Sequence, residues 1–148
     1  MTSAYKLIQL TNSTIGDVAT NTYLPVGRVT RRLNAPANCC NTFTITSSTA
    51  DTVSLNDVGF YKITYSLSAS AAAAGEVTIA LVANGTTVYT VSQAIVDETS
   101  PVNLTLIYTV RACSSCSSVT ESTPVAIQIQ NTGSALTGTS SNLIIEKI

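Results

Sequence analysis

The chain has 148 residues and a net charge of −1, with 45% of its residues hydrophobic and 10% charged. That length suits one domain with a sizeable core, and the near-zero charge excludes a global basic field for nucleic acid. Charged residues fall well under the roughly 25% usual for soluble domains, so Thr, Ser, Asn and Gln must make most of the surface, as suits life in an assembly or outside cells.

No run approaches the roughly 20 apolar residues of a membrane span. "MTSAYKLIQL" also lacks the apolar core of a secretory signal. The expectation is a protein used inside a cell, or one that leaves by lysis or assembly. Within residues 1–40, Lys6, Arg28, Arg31 and Arg32 face Asp17 alone. Such a basic stretch either meets an acidic partner or guards a strand edge against edge-to-edge pairing.

Thr, Val, Ile and Ser dominate between closely spaced turn signals, which is the pattern of an all-β sandwich or barrel. Taken in chain order, strands are predicted over 5–11, 26–33, 42–46, 52–55, 60–68, 76–83, 86–95, 102–112, 124–132 and 142–148. "FYKITYSLS" alternates strictly, with Tyr61, Ile63, Tyr65 and Leu67 on one parity, so one face is buried and the other wet. The run "SASAAAAG" (68–75) is too short to nucleate a helix and reads as a small-residue loop. Asn84-Gly85, set between two alternating runs, predicts a tight type I′ hairpin, because both central residues need positive φ. The last strand runs to the final residue, and nothing reads as a linker. The prediction is one domain, 1–148, in which 1–35 is an N-terminal strand or arm used for docking.

The chemistry is sparse. With no histidine, the usual general base near neutral pH is missing. Most acids sit in predicted turns. Asp97 and Glu98 are adjacent, but the loop spacing of a calcium site is absent. No Gly-rich phosphate loop follows a strand. An enzyme is not expected, nor is a cofactor. Three sequons, at Asn12, Asn84 and Asn103, are what chance yields in a chain this rich in Asn, Ser and Thr.

Four cysteines leave three readings open. Cys39 and Cys40 are adjacent, and Cys113 and Cys116 form "CSSC". A zinc site built from all four thiolates is disfavoured, because vicinal strand residues point to opposite faces. A disulfide from Cys39 or Cys40 to Cys113 or Cys116 suits maturation outside the reducing cytosol. Free buried thiols are the third reading.

One family resemblance covers residues 42–148. "FTITSSTADTVSLNDVGFYKITYSLSASAAAAGEVTIALVANGTTVYT" resembles the trimeric jelly rolls of the tumour-necrosis-factor and complement type, particularly their bacterial and phage members. These carry "G-[FLVY]-Y-x-[IVF]-x-[YF]", then a loop of small residues, then "NG". Gly59 to Tyr65, Ala71 to Gly75 and Asn84-Gly85 keep that order. "IQIQNTGSALTGTSSNLIIEKI" looks like the family's closing hairpin. "VGRVTRRLNAPANCC", with the later cysteine pair, is similar to short phage or prophage virion proteins of this fold. The collagen-like stalk of the spore-surface and complement relatives is absent.

The resemblance implies an antiparallel jelly-roll sandwich assembling as a homotrimer, with an apolar and aromatic stripe at the threefold axis. Tyr61, Ile63, Tyr65, Tyr108 and Leu143 are the candidates for that stripe. The function implied is a non-enzymatic virion protein, a capsid decoration or head fibre. It would dock through Arg28, Arg31 and Arg32 on the major capsid protein or another virion protein, without nucleic acid or membrane. It would be made in the host cytoplasm, released by lysis and carried on the virion surface. The alternatives are a fibre-tip head that binds a receptor or a host-surface glycan, and a bacterial spore or cell-surface protein.

Overall fold

The computed structural model describes residues 6–33, 42–47 and 49–148. Among these residues the chain forms β1 (Lys6–Val18), β2 (Thr22–Tyr23), β3 (Arg28–Leu33), β4 (Phe43–Thr44), β5 (Val53–Leu55) and β6 (Gly59–Ala71). They are followed by β7 (Gly75–Ala83), β8 (Thr86–Ile95), β9 (Pro101–Ala112), β10 (Val125–Asn131) and β11 (Leu136–Lys147), with one 3-10 turn at Val119–Glu121. Two antiparallel sheets stack as a sandwich. The first has the order β3-β1-β11-β6-β9, and the second β4-β5-β10-β7-β8, with β2 paired to β10. This is a jelly roll, as the resemblance implied.

The alternation of β6 determines its packing. Tyr61, Ile63, Tyr65 and Leu67 point between the sheets, while Phe60, Lys62, Ser66 and Ser68 face outward. Register aligns Tyr65 with Leu143 of β11 and with Leu106 of β9, all three fully buried. Phe43 meets Tyr61 edge-on, with ring centroids 5.9 Å apart. Burying each such side chain contributes roughly 1.5–3 kcal/mol. The Tyr61 hydroxyl donates to the Asp57 carbonyl at 2.6 Å. Burial and the Asp57 charge raise this phenol well above its ordinary range. Burial pushes Tyr65 up to about 12, moderated by the neighbouring Ser141 hydroxyl. The Tyr65, Thr139 and Ser141 hydroxyls are enclosed without a well-formed hydrogen bond.

Asn84 and Gly85 carry φ of 49° and 82° at the β7–β8 turn, as the hairpin requires. Asn84 also clamps the chain beyond β9. Its amide donates to the Val119 and Ser122 carbonyls, and its oxygen accepts from Ala126 N–H.

Some boundaries differ from those predicted. β6 runs on through Ser68–Ala71, so the small-residue loop shrinks to the turn before Gly75. Alanine is small enough for the buried parity there, and Ala71 pairs with Leu136. The short strand β2 carries no periodicity and was not foreseen. The span 42–46 yields only the two residues of β4.

β1 is longer than predicted and irregular. Its pairing with β11 is broken between Asn12 and Gly16 and again before Val18, and Gly16 has φ +76°. Residues 13–15 therefore swing out of the ladder, as bulged strands do. At Gly27 (φ +92°) a Cβ would lie 2.4 Å from the Thr11 carbonyl oxygen, so only glycine lets the chain cross β1 this closely.

Candidate interaction surfaces

Four of the five side chains expected at a subunit seam lie elsewhere. Tyr61, Ile63, Tyr65 and Leu143 are each 0% exposed inside the sandwich, so none has surface left for a second chain. The reason is parity: these positions share the face that covers β10 and β7, and their neighbours in sequence take the outside. Tyr108 differs. It has inward parity but sits on β9, the last strand of its sheet, where it stacks on Tyr89 of β8 with centroids 5.0 Å apart and planes at 16°. Tyr89 is 41% exposed, so this stacked pair forms a partly open aromatic rim.

The outward face of the first sheet is the surface the stripe reading missed. Three cross-strand rows run over it: Leu7, Glu146, Lys62 and Thr109; then Gln9, Ile144, Thr64 and Ile107; then Thr11, Asn142, Ser66 and Thr105. One end is apolar. Ile107 is 55% exposed and Phe60 51%, the latter with the Arg111 guanidinium 5.8 Å from its ring centroid. The other end is all hydroxyl and amide, tied together by bonds from Gln9 and Thr11 to the Asn142 side-chain oxygen. The sequence signal was available: Phe60 and Ile107 occupy the wet parity of strongly alternating strands.

Arg28, Arg31 and Arg32 are all exposed on β3, an edge strand. None of their guanidinium groups makes an ion pair or hydrogen bond with another described residue. Next to them lies a groove of about 560 Å³ between β1 and the chain around Gly27. The ion pair among the described residues is Lys6 Nζ to Asp57 Oδ2 at 2.7 Å, joined by a Thr42 hydroxyl at 2.6 Å. Burial raises the Asp57 carboxyl, but the bonds from Lys6 and Thr42 and the charges of Lys6 and Lys147 outweigh it. The group is held below its ordinary value.

Cys113 is bonded to Cys116, with Cα atoms 5.6 Å apart. This local bridge corrects the long-range one expected from Cys39 or Cys40, which lie outside the described residues. The physical reason is proximity: the chain turns immediately after β9, and Cys113 N–H bonds to the Glu121 carbonyl, folding "CSSC" on itself. Among the described residues no three His, Cys, Asp or Glu side chains gather as metal ligands. Asp97 and Glu98 lie exposed at the β8–β9 turn.

Structural comparison places this arrangement. The chain superposes on PRD1 vertex protein P5 with a TM-score of 0.61, at 17% identity over 99% of each chain. The fold is the TNF-type jelly roll. Eiger TNF from S. frugiperda aligns with a TM-score of 0.70 and 13% identity, over 99% of this chain and 94% of its own. Murine APRIL aligns with 0.64 and 10% identity, over 97% and 99%. No family model matches the sequence, and no curated protein matches it at sequence level. The likeness to the TNF-type jelly rolls is therefore carried by structure.

Proposed function

We propose that this chain is a structural virion protein, a homotrimeric jelly roll that decorates a capsid or forms a head fibre. The observation that carries the reading is the end-to-end likeness to a vertex protein, in which 99% of each chain is matched. The surface fits that use. An apolar end on the outward face of the first sheet and an aromatic rim at β8–β9 lie on different sides of one chain, so the contact between copies is heterologous. Such contacts close into rings when the rotation is cyclic. The interface then consists of Phe60, Ile107 and Ile144 on one copy and the Tyr89–Tyr108 rim on the next, in place of the buried tyrosines.

Arg28, Arg31 and Arg32 form the docking side toward the capsid; in place of the expected N-terminal arm, the edge strand β3, paired to β1 within the first sheet, carries them. Three unpaired guanidinium groups on an open edge suit acidic side chains of another virion protein, since each can bind a carboxylate with two hydrogen bonds. Mass spectrometry of purified particles tests the assignment; its absence from virions would sink it. Light scattering on the isolated protein should give three times the chain mass of 15.4 kDa, and a monomer would remove the assembly part.

A further inference from the structure

The groove beside β3 is built by the two backbone irregularities already described. The bulge after Asn12 lifts Ser13 and Thr14 out of the β1 ladder, and the close crossing at Gly27 sets Arg28 on the opposite wall. Asn12 ties the walls together: its amide donates to the Pro25 carbonyl and its oxygen accepts from Thr14 N–H. Thr11 and Thr30 have hydroxyls engaged with Asn142 and the Gln9 carbonyl. The Ser13 and Thr14 hydroxyls and the Arg28 guanidinium are left without side-chain partners among the described residues. No acid among the described residues lines the groove.

At about 560 Å³ the groove lies within the size range of ligand sites. Its chemistry narrows the ligand. An unpaired guanidinium suits an anion that offers two oxygens side by side, a carboxylate or a phosphate, and the single positive charge here balances the singly charged carboxylate but not a phosphate dianion. Free hydroxyls match a ligand that is itself rich in hydroxyls. Among the described residues Ile15 and Pro25 are the apolar lining, too little to hold the side chains of a peptide, and none supplies an aromatic ring for a base to stack on. We propose that this groove binds a carboxylate-bearing saccharide, with Arg28 on the carboxylate and Ser13 and Thr14 on ring hydroxyls.

The proposal does not rest on the virion reading and competes with it for Arg28, whose guanidinium serves a capsid carboxylate or the sugar but not both; it concerns the isolated protein in solution, where no capsid is present. Saturation-transfer NMR on the full chain with sialyllactose, a hyaluronan tetrasaccharide and neutral lactose tests it. Transfer to a carboxylated sugar and none to lactose is expected, and which acid responds distinguishes the two kinds of acidic sugar. In Arg28→Gln the responding sugar should bind about tenfold more weakly or worse, as for loss of a hydrogen bond to a charged group. Thermal melting should not change, because the side chain is exposed. Arg31→Gln, on the same strand but outside the groove, should bind as the parent. The site is overturned by equal response to lactose, by no response to either acid at millimolar concentration, or by undiminished binding in Arg28→Gln. A loss in Arg31→Gln matching that in Arg28→Gln would place the sugar on the open strand edge and overturn it too.

Discussion

Tyr61 and Tyr65 lie between the sheets, whereas Tyr89 and Tyr108 stack at the rim where β8 meets β9. All four belong to alternating strands, and Tyr61, Tyr65 and Tyr108 share the inward parity of one sheet. What separates the pairs is position across the sandwich. β6 is flanked by β11 and β9 and has the second sheet above it, so its inward side chains lose all contact with water. β8 and β9 each end their sheet: a shorter inward side chain such as Leu106 is still covered there, but the Tyr108 ring reaches the open margin where it stacks on Tyr89. The same phenol is a core filler in the middle and a half-open surface at the edge.

Replacing Tyr65 with Ala is the strongest way to break the inner pair. The cavity should cost roughly 3–5 kcal/mol in denaturant titration, with no change in mass for the fraction still folded. Loss of trimer at unchanged stability would return Tyr65 to a seam and contradict its burial. The inner pair also sets a limit at high pH. Tyr65 in the folded chain is raised from 10.0 to about 12. Its contribution is therefore complete below about pH 10 and is lost as pH rises toward 12, roughly 2–3 kcal/mol in all. Tyr65→Phe should remove part of that alkaline loss, the rest belonging to Tyr61, whose phenol is raised as well; an unaltered pH curve would show that Tyr65 does not contribute to it.

The rim pair should behave in the opposite way. Tyr108→Ala is expected to lower stability by only about 1 kcal/mol, the loss of a stacked pair, yet to dissociate the assembly in light scattering. Trimers that survive the change would move the interface off the rim. The smallest effect belongs to Asp57. Its carboxyl titrates below the ordinary value, so its contribution is present above about pH 4 and fades as pH falls through the lower folded value. Asp57→Asn should remove that acid dependence and, by taking away the charge that helps raise Tyr61, also weaken the alkaline one slightly, as measured by melting temperature against pH.

The sequence showed the strand faces well because alternation is a local signal. Tyr61, Ile63 and Tyr65 on one parity and Phe60, Lys62 and Ser66 on the other needed no tertiary knowledge to separate. The Asn84-Gly85 turn was equally legible, since positive φ is demanded by the turn itself. The second task of Asn84 was not: its clamp on Val119 and Ser122 spans more than thirty residues of chain. Nor was the pairing of Cys113 with Cys116, which depends on how sharply the chain bends after β9. The groove was hidden for the same reason. Ser13, Thr14 and Arg28 are ordinary surface residues until a bulge in β1 and a crossing at Gly27 bring them to opposite walls.

Composition and alternation by themselves determined that the chain is all-β, low in charge and built around a tyrosine-bearing central strand. They act over two to four residues, where backbone geometry alone decides which side chains share a face. Only the tertiary structure decided which apolar faces stay open. That depends on where each strand falls in its sheet, and strand order arises from pairings between residues far apart in the chain. Tyr65 is sealed and Tyr108, on the same inward parity, stays partly open because of neighbours that no local pattern names.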